Sequence, residues 1–174
     1  IRNHRKDGKI SAPILEKKNK KWFLRFAFEG QVKLNDTKLE ERRILAVDLG
    51  VNTDAVCSVM TKDGTIHARK FINFAGDKDR IYHTLNKIKK VQKNSGSQNS
   101  KKLWRYARFH NDELARKVAS KIAETAMQYQ CDVIVFEHLD TKGKKKGSKK
   151  QKLQMWKKNT IQKTVEQKAH KNGT

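Results

Sequence analysis

Two short apolar runs constrain this chain more than any other feature. Ile44-Leu45-Ala46-Val47 and Val133-Ile134-Val135-Phe136 are unbroken by polar residues, and each ends directly on an acid, Asp48 and Glu137. A run of this kind reads as a buried central strand rather than one that alternates in and out. Between the two lies a recognisable series of elements. Ala55 to Met60 is a second strand, Lys62-Asp63-Gly64 a hairpin turn, and Ile66 to Phe71 a third strand. Asp77 or Asp79 can cap a first helix, whose Ile81, Leu85 and Ile88 share a face. The Ser/Gly/Asn-rich segment Asn94 to Ser100 reads as a loop. A second, long helix is expected from about Lys101 to Tyr129, with a stripe of Leu103, Ala107, His110, Leu114, Val118, Ile122, Ala126 and Tyr129 at steps of three and four.

Three strands joined by short turns make an antiparallel meander. A fourth strand arriving after a long helical crossover can lie parallel beside the first. The predicted fold is therefore α/β, with a mixed sheet of three antiparallel strands plus a parallel fourth and flanking helices. This is the β-β-β-α-β opening of an RNase H-like sheet, and a fifth strand is expected after Gly173. Beyond Glu137 the chain turns strongly basic, and a weaker helix from about Lys152 to Lys171 stops at Asn172-Gly173.

Upstream, residues 10–29 read as a β-hairpin. Its Lys17-Lys18-Asn19-Lys20 turn leads into a strand on which Trp22, Leu24, Phe26 and Phe28 alternate onto one half-buried face. The polar connector Asn35 to Arg43 is the candidate boundary, giving a hairpin domain over 1–36 and the α/β domain over 44–174. There is no internal repeat. The chain opens on Ile1 without a methionine, and the expectation is a piece of a longer polypeptide.

Charge narrows the partners. Lys and Arg number 41 of 174 residues against 18 Asp and Glu, a formal +23, while apolar residues make up 36%. An excess of that size repels itself and makes sense with a polyanion in place. Nucleic acid is the first candidate, and an anionic membrane surface a weaker one. No apolar stretch approaches the roughly 20 residues needed to span a bilayer, and no signal-peptide pattern opens the chain. Cys57 and Cys131 each sit in an apolar run. They read as core residues in a reducing compartment, not as zinc ligands.

Asp48 and Glu137 carry the chemistry. If their strands are parallel neighbours, two hard oxygen ligands meet at one sheet edge, which suits Mg²⁺ or Mn²⁺. In phosphodiester hydrolysis two such ions, about 4 Å apart, activate the water and stabilise the leaving oxygen. Gly50 lets the backbone turn away after the first acid and leaves room for a phosphate. Either acid alone reads as a polar strand-end residue capping a turn; the pair, in this strand order and this basic chain, reads as a metal site.

The runs Ala46-Val47-Asp48-Leu49-Gly50-Val51-Asn52 and Val133-Ile134-Val135-Phe136-Glu137-His138-Leu139 resemble the first and second RuvC motifs of TnpB-type nucleases and of the related type V CRISPR effectors. The helix that begins His110-Asn111-Asp112-Glu113-Leu114-Ala115 and feeds the Glu137 strand is similar to the helix at that place in the family. The resemblance covers roughly residues 44–174, and the hairpin before it looks like the end of the family's wedge domain, a β-barrel that grips guide RNA. It implies the RuvC-like part of an RNA-guided, divalent-metal-dependent DNA endonuclease, with guide RNA, target DNA and the remainder of the parent polypeptide as partners. A cytoplasmic, nucleoid-associated place in a prokaryote goes with it. Asp48 and Glu137 would inherit the roles of catalytic metal ligands for Mg²⁺ or Mn²⁺, two ions in all. One departure matters. The family has a third catalytic Asp after the next strand, usually near a cysteine-rich insert, and neither is present. Asp54 and Asp140 lie near the right strand ends, but Asp54 reads as the opening of the second strand and Asp140 as part of a turn. The resemblance therefore implies that this chain alone is a poor nuclease or an inactive one.

Two basic clusters are candidate nucleic-acid contacts. Lys142, Lys144, Lys145, Lys146, Lys149 and Lys150 follow the second acid, where a phosphate-tracking segment competes with a merely solvated charge run. Lys101, Lys102, Arg105 and Arg108 lie off the apolar stripe of the long helix, where they can face a backbone. Trp156 reads as a core anchor, and Trp104 is left open. His110, on the stripe, reads as a buried, hydrogen-bonded histidine, and His138 as pointing away from Glu137 if the strand continues. Two rival readings stand beside the nuclease. Asp48-Leu49-Gly50-Val51-Asn52-Thr53 also resembles the first phosphate motif of actin-like ATPases and sugar kinases. Against it, no second Asp-x-Gly-x-Gly loop occurs and +23 does not suit a small-molecule kinase. The other rival is a non-catalytic nucleic-acid-binding protein whose acids serve structure.

Overall fold

The structure, a computed structural model, describes residues 9–95, 100–138 and 155–174. The chain divides into two compact units, one up to Lys33 and one from Leu34 to Thr174.

In the first unit β2 (Ile14–Lys18) and β3 (Lys21–Arg25) pair antiparallel, while β1 (Lys9–Ile10) and β4 (Phe28–Glu29) form a separate short ladder. Asn19 and Lys20, with φ of 52° and 64°, make the tight turn between β2 and β3, the left-handed geometry whose twist suits a two-residue hairpin. The two arms of the expected hairpin pair with an irregularity: the ladder is interrupted at Phe26-Ala27, where the Ser11 amide donates to the Ala27 carbonyl at 3.0 Å, and resumes one residue out of register as β1 with β4. The half-buried face is corrected, since Trp22 and Leu24 are 62% and 56% exposed. Among the described residues of the unit no second layer covers this hairpin, and a lone two-stranded hairpin has little to bury against.

The second unit is a sheet on helices. β5 (Ile44–Asp48), β6 (Ala55–Met60) and β7 (Ile66–Ile72) form the antiparallel meander, and β8 (Val133–Phe136) joins β5 in parallel, giving the order β7-β6-β5-β8. The helices are α1 (Ala75–Ser95), α2 (Lys101–Gln128) and α3 (Lys158–Asn172). Leu45 and Val47 on β5, with Ala55, Cys57 and Val59 on β6, face a core completed by Leu114, Val118, Ile122 and Ala126 of α2 and by Ile161 and Val165 of α3. The alanines at 115, 119 and 123 are buried as well, and small side chains there let neighbouring backbones approach closely. Burying a Leu or Ile side chain contributes about 1.5–3 kcal/mol, and this single cluster is where the unit's cohesion resides.

Chain punctuation behaves as its chemistry dictates. Gly64, at φ 87°, closes the turn between β6 and β7, where the Asp63 carboxylate accepts the Thr65 hydroxyl at 2.6 Å. The hydroxyls of Thr61 and Thr65 hold that carboxyl down at about 2. Gly173, at φ 84°, ends α3 in the left-handed conformation. Asp77 falls inside the first turn of α1 rather than at its cap and pairs with Lys117 of α2 at 3.0 Å. Asn94 and Ser95 continue α1 rather than opening a loop. Of the last helix expected from about Lys152, α3 covers Lys158–Asn172, while Lys152 lies outside the described residues. The connector 35–43 is bonded into this unit. Thr37 and the Arg43 amide both donate to the Asp132 carboxylate, at 2.6 and 2.9 Å, and the Asn35 amide donates to the Gly173 carbonyl at 2.9 Å. Among the described residues no helix is long and apolar enough to cross a membrane.

Candidate metal centre and cationic face

Asp48 is the last residue of β5, and Glu137 follows the last residue of β8. The parallel register pairs Ile44 with Val133, Leu45 with Ile134, Ala46 with Val135 and Val47 with Phe136. The next pair in that sequence is Asp48 and Glu137. The Glu137 amide donates to the Val47 carbonyl at 3.4 Å, which carries the ladder past the end of the strand. Adjacent strands lie about 4.8 Å apart, so the two acids leave neighbouring backbones side by side. Their face follows from alternation. Leu45, Val47, Ile134 and Phe136 pack on the helical core, so Asp48 and Glu137 stand on the opposite face, and both are exposed. The reading of 133–136 as a buried strand is corrected on that face, where Val135 remains 48% exposed.

The turn after Asp48 is held from below. Leu49 is buried in the core. Gly50 is required by close approach, because a Cβ there would meet the Thr53 carbonyl oxygen at 2.6 Å. Asp54 is 7% exposed and accepts the Phe74 amide at 2.7 Å, while its own amide donates to the Ile72 carbonyl at 3.0 Å. Lys78 lies 3.5 Å from the Asp54 carboxylate and donates to the Asn52 carbonyl and the Asn73 side chain. Turn 49–54 is thus tied to the start of α1, and Asp54 is engaged in that tie beside the opening of β6. Next to it lies a cavity of about 530 Å³, lined in part by Gly50, Asn52, Lys78, Tyr82 and Trp156.

Two carboxylates on neighbouring strands offer a hard cation two oxygen donors from one end of the sheet. Magnesium is commonly held by one or two carboxylates with water and substrate phosphate completing its shell. The donor set of Asp48 and Glu137 fits such an ion. Among the described residues no group of three or more His, Cys, Asp or Glu side chains gathers for a metal. His138 is exposed and lies outside β8.

The other candidates separate. Lys101, Lys102, Arg105 and Arg108 are all exposed on the first turns of α2. Trp104 is half-buried, whereas Tyr106 and Phe109 are 47% and 59% exposed. His110 is largely buried: its ring packs edge-on against Tyr106, with centroids 4.1 Å apart, and its Nδ1 is 3.5 Å from Glu113. Trp156 packs against the core. Lys142, Lys144, Lys145, Lys146, Lys149 and Lys150 lie outside the described residues, as does Asp140. Sequence reasoning missed Lys78, since a lysine in a first helical turn gives no sign of the carbonyl it will reach. It missed Asp132 as well, although an acid directly before an apolar strand is a visible signal for a strand-start anchor.

No family model matches the chain, and no curated protein matches it either. Solved structures do. A cryo-EM structure of a Cas12f1–sgRNA–target DNA complex superposes with a TM-score of 0.59 at 16% identity, over 91% of this chain and 39% of that one. A cryo-EM structure of a CRISPR–Cas12f ternary complex gives 0.56 at 17% identity, over 87% and 31%. At these identities the likeness is one of fold, and the chain spans well under half the length of either neighbour.

Proposed function

We propose that the second unit is an RNase H-like, RuvC-type part of an RNA-guided, divalent-metal-dependent DNA endonuclease of the TnpB or type V CRISPR effector kind. The observation that carries the reading is the β5–β8 register, which makes Asp48 and Glu137 neighbours at one end of the sheet. In this reading the two carboxylates hold Mg²⁺ or Mn²⁺, which when bound polarises a phosphate and activates water. Asp48 and Glu137 offer the hard oxygens, and their exposure admits a phosphodiester. The Lys78–Asp54 tie holds the turn after Asp48 in place. Guide RNA and target DNA are the proposed partners, consistent with the nucleic acids in the structurally similar complexes and with the +23 charge. The remainder of a longer polypeptide and a prokaryotic cytoplasm belong to the same reading. The two acids alone make this chain a weak or inactive nuclease. Against the ATPase-like reading stand the missing second Asp-x-Gly-x-Gly loop and the +23 charge.

Calorimetric titration of the chain with Mn²⁺ tests the proposal. Binding should weaken at least about tenfold in Asp48→Asn and in Glu137→Gln, a loss of about 1.4 kcal/mol or more. Equal Mn²⁺ affinity in wild type and both variants refutes it, and saturable ATP binding would favour the kinase-like rival instead.

A further inference from the structure

The first turns of α2 carry a surface that the metal centre does not use. Lys101, Arg105 and Arg108 follow one another at steps of four and three and form one row; Lys102, Tyr106 and Phe109 form the next row. All six are exposed, while Ala107 and Leu114 of the same helix are buried on its opposite side. Two features of this surface are unfavourable for the isolated fold. A helix N-terminus already carries partial positive charge, so lysines there oppose the dipole, and the first turn of α2 holds no acid to offset them. Tyr106 and Phe109 also leave large rings in water, at 47% and 59% exposure. The acids further along pair elsewhere, Asp112 with Lys157 at 2.9 Å and Glu113 with His110 and Lys117. Among the described residues none of the four cations has a carboxylate partner.

We infer that this face of α2 is a stacking platform for an unpaired nucleic-acid strand, with the cations on its phosphates and Tyr106 and Phe109 against its bases. This deepens the proposed function and rests on its nucleic-acid reading. The two residues are three apart, about 4.5 Å of rise along the helix axis, a spacing at which side chains of one face can meet the same or successive bases. His110 lies beside both rings, with centroids 4.1 Å from Tyr106 and 5.6 Å from Phe109 in edge-on geometry. A duplex hides the faces of its bases and would use only the cationic row. A strand with free bases uses both rows, which is why the aromatic row selects for single strands.

The test is fluorescence anisotropy of labelled oligothymidylate, oligouridylate and a DNA duplex, titrated with the chain at several salt concentrations. Tyr106→Ala/Phe109→Ala should weaken single-strand binding about fivefold or more, leaving the salt slope and duplex binding as in wild type, and Phe109→Trp should retain tight binding. Whichever single strand loses more affinity identifies the platform's ligand as DNA or RNA. Replacing Lys101, Lys102, Arg105 and Arg108 with Gln should flatten the salt slope for both strands and duplex. If the double alanine variant binds single strands like wild type, or loses single strand and duplex equally, the platform is overturned while the nucleic-acid reading stands. A dimer that the alanine pair dissociates would make the face a contact between copies and also overturn it. Failure of the wild-type chain to bind any of the three would sink both readings.

Discussion

The Glu137 amide reaches the Val47 carbonyl at 3.4 Å, so the parallel ladder runs one residue beyond β8 and brings Glu137 level with Asp48. Remote acids become neighbours because Val47 and Phe136 share a register, not because any loop folds them together. The backbone positions of the pair are consequently set by the sheet, which is the kind of scaffold that a metal centre needs for its ligands.

That placement predicts a stability signature separable from activity. Both carboxylates are exposed and adjacent, so Asp48→Asn should leave the metal-free chain within about 0.5 kcal/mol of wild type. Mn²⁺ should raise the melting temperature of the wild type and fail to do so for Asp48→Asn or Glu137→Gln. Equal shifts in all three, read by differential scanning fluorimetry, would place the ion elsewhere.

Asp54 should behave oppositely. Its carboxylate is almost fully buried, accepts the Phe74 amide and faces Lys78. Asp54→Ala leaves that buried amide without its acceptor and should cost about 1–3 kcal/mol in urea unfolding, while the Lys78 ammonium keeps the Asn52 and Asn73 oxygens. Asp54→Asn keeps an acceptor for the amide and should cost less. A neutral alanine variant would show that turn 49–54 is held by other contacts.

Gly50→Ala forces a methyl group toward the Thr53 carbonyl, 2.6 Å from its oxygen. The backbone must shift, at a cost of about 1–3 kcal/mol, and the shift falls two residues from Asp48. Reduced Mn²⁺ affinity should accompany the lost stability. Affinity that survives in full would uncouple the turn from the metal centre.

Burial pushes the thiols of Cys57 and Cys131 up to about 11 from an ordinary 9.0. A raised thiol pKa means that the unfolded chain releases its protons first. The stability tied to these groups is complete below pH 9 and is lost as pH climbs toward 11. Cys57→Ala/Cys131→Ala should therefore show a shallower fall in stability over that range than wild type. Native thiols should also alkylate far more slowly at pH 8 than in urea; equal rates would mean that the strands open readily.

Sequence pattern reached the sheet and stopped at its fastenings. The runs 44–47 and 133–136 and the stripe through Leu114, Val118 and Ile122 are periodic features, and periodicity reports which side of an element is buried. It does not report side-chain reach, so the Lys78 bond to the Asn52 carbonyl and the Asp132 bonds to Thr37 and Arg43 were not legible. Nor does alternation specify a partner. Trp22 and Leu24 keep a strand's rhythm, yet both stay exposed, with no covering layer among the described residues of their unit. At the candidate site the two acids and their strand order could be read directly, whereas Tyr106 and Phe109 could not. A helical wheel marks them as off-stripe, but only measured exposure tells a solvated ring from one covered by a neighbouring element.

The bond from the Asn35 amide to the Gly173 carbonyl, 2.9 Å long, closes the second unit on itself. The approach to β5 and the left-handed end of α3 thus share one backbone bond, so a change that unwinds the last turn of α3 also loosens the segment leading into the strand that carries Asp48.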